Sequence, residues 1–217
     1  MNIIAWDIET CPKPVDALTE AQRTRYEKEL NRKLKKNPEM DKDEASRLVR
    51  SVHPMLGWIC CISAVAGDIE NGPRQPKSWT TETAENEGPL LEAFWADVAE
   101  FPHGVTWVTF NGKRFDVPFL EARSMRYRLQ PTRQDLLHTY PFKHRPHADL
   151  SGLWPQHYSL EELCDLLEID TPKSELDGSQ VAHAVDCGRI NDVAQYCERD
   201  VVATFECVQA MPSVLTG

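Results

Sequence analysis

The stretch "GWICCISAVA", residues 57–66, is a near-continuous apolar run with β-branched and aromatic members. A segment of that length and composition reads as a strand buried on both faces. Such a strand needs layers on either side of its sheet, and the rest of the chain supplies them. Residues 2–8 and 104–110 read as further strands, and 76–81 as a fourth. Amphipathic helical patterns run over 86–100, from Val117 onward, from Ser159 to Leu167, and from Ile190 to Ala210, with a shorter one at 181–187. Interleaved strands and helices predict a mixed α/β layer architecture. The pattern alone does not fix its topology.

Punctuation divides the remainder. Pro12 and Pro14 predict a loop over 11–18. Thr19 is a candidate N-cap for a charged helix over 19–36, which Asn37-Pro38 ends, and residues 41–52 read as a second short helix. Residues 130–158, rich in Pro and His, read as irregular, with a strand or turn at 134–137. Residues 170–180 read as a loop. The 217 residues are enough for one domain with a good core, and no repeat or low-complexity tract interrupts them.

Composition excludes some classes of function. No apolar run approaches membrane-spanning length, and the first ten residues lack a signal-peptide pattern, so a cytoplasmic location is expected. The seven cysteines are odd in number and show no Cys-x-x-Cys spacing, which predicts reduced, mostly buried thiols rather than a zinc site. A net charge of −10 argues against a broad nucleic-acid-binding surface. Two segments run the other way. Residues 21–50 carry ten Lys/Arg against six Asp/Glu, and residues 122–148 carry six Lys/Arg against one Asp. They are either local polyanion contacts or solvated faces.

The first strand ends in "WDIET". Residues i and i+2 of a strand share a face. Asp7 and Glu9 would therefore stand side by side, a like-charge pair that a divalent cation would compensate. The alternative is that the strand stops at Trp6 and both acids sit in a solvated turn. Asp116 follows a strand directly, where open α/β sheets gather site chemistry, and it is equally an N-cap for the helix at Val117. Asp200, in the last helix, shares a face with Tyr196 four residues earlier, at the edge of the apolar side. Together these acids match the oxygen-rich ligand set that Mg²⁺ and similar hard cations prefer. Two such ions held by carboxylates can drive phosphodiester cleavage.

The three segments resemble, in order and spacing, the motifs of the DEDD superfamily of 3′→5′ exonucleases. "WDIET" is similar to the first motif, Asp-x-Glu. "NGKRFDVPFL" is similar to the second, with Asn five residues and Phe one residue before the Asp. "YCERDV" is similar to the third in its tyrosine form, since Gln195 occupies the place of the alternative histidine. The likeness is greater to the proofreading exonuclease domain of family B DNA polymerases. It covers about residues 1–10 and 53–210, with support from "RPHADL", "YSLEELC", "TPKSELDGSQV" and "GRINDVAQYCERDV".

The resemblance implies a ribonuclease H-like mixed sheet flanked by helices. It implies a single exonuclease domain over 1–217, with a charged helical insertion at about 15–52. It implies two divalent ions, Mg²⁺ or Mn²⁺, held by Asp7, Glu9, Asp116 and Asp200, with Asp7 bridging them and Tyr196 orienting the attacking water. The substrate implied is a nucleic-acid single strand with a free 3′ end, DNA favoured, cut to nucleoside 5′-monophosphates in repair or trimming. Asn111 and Phe115 would meet the substrate, Phe115 being equally a core residue. Arg123 and Arg126, with Arg128, Arg133, Lys143 and Arg145, are candidate phosphate contacts unless they pair with the acidic body. The same chemistry on RNA, and a non-catalytic nucleic-acid-binding domain of the same fold, are the alternatives. Four carboxylates and Tyr196 together argue against the latter.

Overall fold

The computed structural model describes residues 2–141, 143–170 and 176–215. The first five residues of "TPKSELDGSQV" lie outside them. Six strands form one sheet: β1 (Asn2–Pro12), β2 (Gly57–Asp68), β3 (Gly72–Pro73), β4 (Lys77–Thr80), β5 (Thr106–Thr109) and β6 (His147–Asp149). The order is β3-β2-β1-β5-β6, with β4 also on β2. Strand β1 runs antiparallel to β2 and parallel to β5, which is parallel to β6.

Seven α-helices occur among the described residues: α1 (Glu20–Lys36), α2 (Lys42–Ser51), α3 (Glu87–Ala99), α4 (Asp116–Arg126), α5 (Leu160–Leu166), α6 (Val181–Asp186) and α7 (Ile190–Ala210). None is long and apolar enough to cross a membrane.

Alternation along β1 sorts the two layers. Ile4, Trp6 and Ile8 face a core shared with Leu91, Phe94 and Trp95 of α3 and Phe119 and Leu120 of α4. Ile3 and Ala5 face the opposite core, under Val201, Phe205 and Val208 of α7. Helix α7 buries Val193, Cys197, Val201, Phe205 and Val208, a stripe at helical spacing that lies across β1 and β2.

The predicted elements are present, with three differences. Strand β1 does not stop at residue 8. It continues to Pro12, pairing Thr10–Pro12 with Ile59–Gly57 after a bulge that leaves Cys60 unmatched. The helical hairpin α1–α2 covers this extension: Thr10 Oγ1 donates to Ser51 O at 3.0 Å, and the buried Arg50 side chain donates to Lys13 O. Strands β3 and β6 were not anticipated, being only two and three residues long. The segment 134–137 is a turn. Thr19 caps α1 as expected, in a reciprocal capping box with Gln22, and Ser159 forms the same box with Glu162 at α5.

Candidate active site

Because Asp7 and Glu9 lie within β1, they continue the face of Ile3 and Ala5 and point toward α7. The solvated-turn reading is excluded. Both are half-buried, in the gap between the apolar cluster around Val201 and a second one around Cys197, Val193 and Val181. The protein thus interrupts an apolar helix–sheet contact with two carboxylates.

Asp116 arrives from the other layer. It is the first residue of α4, not its N-cap, and its Oδ1 accepts the Ile8 backbone N–H at 3.0 Å. Parallel pairing of β1 and β5 spans Ile3–Ala5 against Thr106–Val108, and Asp116 takes an N–H of β1 just beyond it. The turn that delivers it is tightly specified. Asn111 has φ 65°, and a Cβ on Gly112 would sit 2.5 Å from Thr109. Asp149 fastens this turn: its carboxylate accepts from Asn111 N at 2.7 Å and Lys113 N at 3.0 Å.

Asp200 and Tyr196 lie one turn apart on α7, and the Tyr196 hydroxyl hydrogen-bonds the Asp200 carboxylate. The four acids and the tyrosine predicted from sequence therefore meet in space.

Their electrostatics are those of crowded like charges in a poorly solvated place. Burial, then Asp116, Glu9 and Asp200, hold the Asp7 carboxyl well above the usual range, and Asp7 shares a hydrogen bond with Asp116. Burial, then Asp200, Cys61 and Asp116, raise Glu9 likewise. Burial pushes Asp116 up to about 7 despite hydrogen bonds from Asp7 and Ile8, and pushes Asp200 up to about 6 despite its bond to Tyr196. Among the described residues, no lysine or arginine forms an ion pair with Asp7, Glu9 or Asp116. A site of hard oxygen donors with unbalanced negative charge fits divalent cations such as Mg²⁺ or Mn²⁺.

Thiols line the floor. Cys197 Sγ lies 3.6 Å from Asp7 Oδ2, and Cys60 Sγ lies 3.3 Å from Glu9 O. Asp7, Glu9 and Cys197 present ligand atoms within 4.8 Å of one another. Burial pushes the Cys197 thiol up, so at neutral pH it donates to Asp7 as S–H rather than serving as a thiolate ligand.

The substrate-contact residues divide. Asn111 and Arg126 are exposed, the latter 5.6 Å from the Tyr127 ring centroid. Phe115 is half-buried against the α3–α4 core, its ring centroid 5.6 Å from that of Phe119. Arg123 is a correction. It is buried, its Nε donates to Glu87 Oε1 at 2.7 Å and its Nη1 to Pro54 O at 3.0 Å, so it has no face to offer a phosphate. Arg133 is likewise buried, bound to Asp135 and to the Phe101 carbonyl. Arg145 donates to Leu215 O at 3.0 Å, while Arg128 and Lys143 are exposed. Asp149, Cys60 and Cys197 were missed as site residues. For Asp149, its place in "RPHADL" was the only signal.

The sequence matches, over residues 53–210, the family described as a predicted 3′–5′ exonuclease related to the exonuclease domain of PolB. Asp116, Tyr196 and Asp200 fall inside that span. No curated protein sequence matches the chain. Among solved structures, the family B DNA polymerase of the hyperthermophilic archaeon Pyrobaculum calidifontis is similar at 15% identity and TM-score 0.64, over 97% of this chain and 24% of that one. An exonuclease I structure is similar at 14% identity and TM-score 0.51, over 99% and 42%. The chain thus spans a quarter to two-fifths of the length of these relatives. At such identities the likeness establishes the fold, which is the expected ribonuclease H-like sheet flanked by helices.

Proposed function

Since the chain belongs to the family of 3′–5′ exonucleases related to the exonuclease domain of PolB, we propose that it removes nucleoside 5′-monophosphates one at a time from the 3′ end of single-stranded DNA, with two divalent metal ions as cofactors. One observation carries this reading: four carboxylates from β1, the start of α4 and α7 converge, and among the described residues Asp7, Glu9 and Asp116 form no ion pair with a lysine or arginine. Asp7, Glu9, Asp116 and Asp200 would hold the ions. Bound there, divalent ions lower the pKa of a water and offset charge on the phosphate.

Tyr196 does the positioning. Burial, then Asp200, Glu9 and Asp7, hold its phenol well above the usual tyrosine value. It therefore remains a hydrogen-bond donor throughout the working pH range and orients the nucleophilic water without accepting its proton, in keeping with the tyrosine subtype. Tyr196→Phe is expected to lower the rate about 10–100-fold, the range for loss of an orienting partner at a metal site. The pH profile should keep its shape. A shift of its alkaline limb would make the phenol a base instead.

Without metal, the acids penalise the fold, and the sign follows from their raised values. A carboxyl of pKa about 6–7 in the folded state and about 3.9 unfolded binds more protons when folded. Stability is then highest below about pH 4 as far as these groups are concerned, and it is lost as pH rises through about 7. The metal-free melting temperature is expected to fall between pH 5 and 8 more steeply than that of Asp116→Asn. At pH 8, Mn²⁺ at a hundred times its Kd adds about 2.7 kcal/mol, or roughly 5–10 °C in a chain of this size.

The decisive experiment is incubation of 3′- and 5′-labelled single-stranded DNA and RNA with Mn²⁺, with and without chelator. Stepwise shortening of DNA from the 3′ end, stopped by chelator, supports the proposal. Loss of label only from RNA moves the substrate to RNA, and no shortening of either overturns catalysis. We take residues 1–217 as one exonuclease domain to which the α1–α2 hairpin is an addition. A role in repair or trimming belongs to the same proposal and follows from the exonuclease reading alone; the free thiols of the described cysteines are in keeping with a reducing, cytoplasmic compartment.

A further inference from the structure

A groove of about 1130 Å³ opens between the turn after β5 and the segment after β6. Its position is set by the sheet. Ala5 of β1 pairs in parallel with Val108 of β5, so Asp7 and Phe110 stand two residues further on along neighbouring lines. Phe110 lines the groove, as does Asp149, whose charge is felt at Asp116. The groove therefore begins where the carboxylate site ends.

Its lining differs from the surface of an acidic chain. Arg114 and His157 are exposed at its wall, and Arg114 makes no ion pair among the described residues. Asp149, the one carboxylate among the described lining residues, is already occupied by the N–H groups of Asn111, Lys113 and Ser151 and by the Ser151 hydroxyl. A ladder of rings crosses it. Phe110 and Tyr158 centroids lie 5.7 Å apart, Tyr158 and Trp154 5.3 Å apart, and Trp154 at the outer end is 43% exposed. The Tyr158 hydroxyl is tied to Leu150 O, which fixes the middle rung.

Aromatic rings beside a free guanidinium suit a ligand that alternates flat bases with phosphates. We propose that this groove is the track for the nucleotides of the single strand that lie beyond the one being cut, with a base stacked on Trp154 and a phosphate on Arg114. The proposal rests on the exonuclease reading and names where that substrate is held.

The test is a fluorescence-anisotropy titration of labelled oligothymidylate in EDTA, where no strand is cut, with thermal melts to confirm folding. Trp154→Ala is expected to weaken binding about tenfold, and Trp154→Phe to restore most of it. Arg114→Gln is expected to flatten the slope of log affinity against log salt by about 0.7. Wild-type affinity in Trp154→Ala, or an unchanged salt slope in Arg114→Gln, overturns the proposal. Failure of the wild-type protein to shorten any strand with Mn²⁺ would overturn the exonuclease reading instead, since the titration involves no cleavage.

Discussion

Asp7→Asn is expected to abolish cleavage and at the same time to raise the melting temperature of the metal-free protein. The two effects share one cause. Asp7 neighbours Glu9, Asp116 and Asp200, and all three push its carboxyl toward the protonated state. A neutral amide of the same shape relieves that repulsion, so the metal-free fold gains stability, most visibly at pH 8, where the wild-type acids are under pressure to ionise. Each kcal/mol gained raises the melting temperature by about 2–4 °C in a chain of this size. The amide also removes the central anionic ligand from the proposed metal site. Metal ions supply several kcal/mol of charge stabilisation in such reactions, so the loss should be about a thousandfold or more. Rate assays on labelled DNA and calorimetry of the same preparation check both halves. Inactivity with a lowered melting temperature would mean that Asp7 holds the fold and that its catalytic role is unproven.

The second large effect lies away from the site. Arg123→Ala is expected to destabilise the protein by about 3–5 kcal/mol, because it strands a buried carboxylate. Glu87 is fully buried. It accepts from Arg123, from the Ile59 N–H at 2.8 Å and from the Tyr127 hydroxyl at 3.0 Å, joining α3, α4 and β2. That loss is a large share of the 5–15 kcal/mol that holds typical domains. A melting-temperature fall of roughly 6–20 °C should follow. Glu87→Leu with Arg123→Leu should recover part of it and no more, since the Ile59 N–H then lacks its acceptor. An Arg123→Ala protein that melts normally but binds DNA weakly would restore the phosphate-contact role rejected above.

These two residues also show what can be read from a sequence and what cannot. Asp7 and Glu9 were legible because strand alternation is a property of neighbours: apolar at 3 and 5, acidic at 7 and 9, one face throughout. Helix α7 was legible for the same reason at a different period. Arg123 was misread because charge is visible in a sequence and burial is not. Its partner is 36 residues away, and nothing near it in the chain announces a buried acid. Asp149 escaped notice because it acts on backbone N–H groups, which every residue carries. Strand β6 is held by its neighbour β5 rather than by any pattern of its own, and three residues are too few to display a period. The extension of β1 past the acids depends on the α1–α2 hairpin, whose docking no local signal encodes.

The bond from Ile8 N to Asp116 gives position 116 a second duty. Its carboxylate fills the place that a neighbouring strand would otherwise take, so it is a rung of the architecture as well as a part of the chemistry. The other three acids strain the fold, and their loss would come with relief. A descendant drifting toward inactivity could discard residues 7, 9 and 200 and gain robustness each time. It would still need an acceptor at 116. Wear in this lineage should therefore be uneven, with the last relic of the nuclease being the oxygen that props up its own sheet.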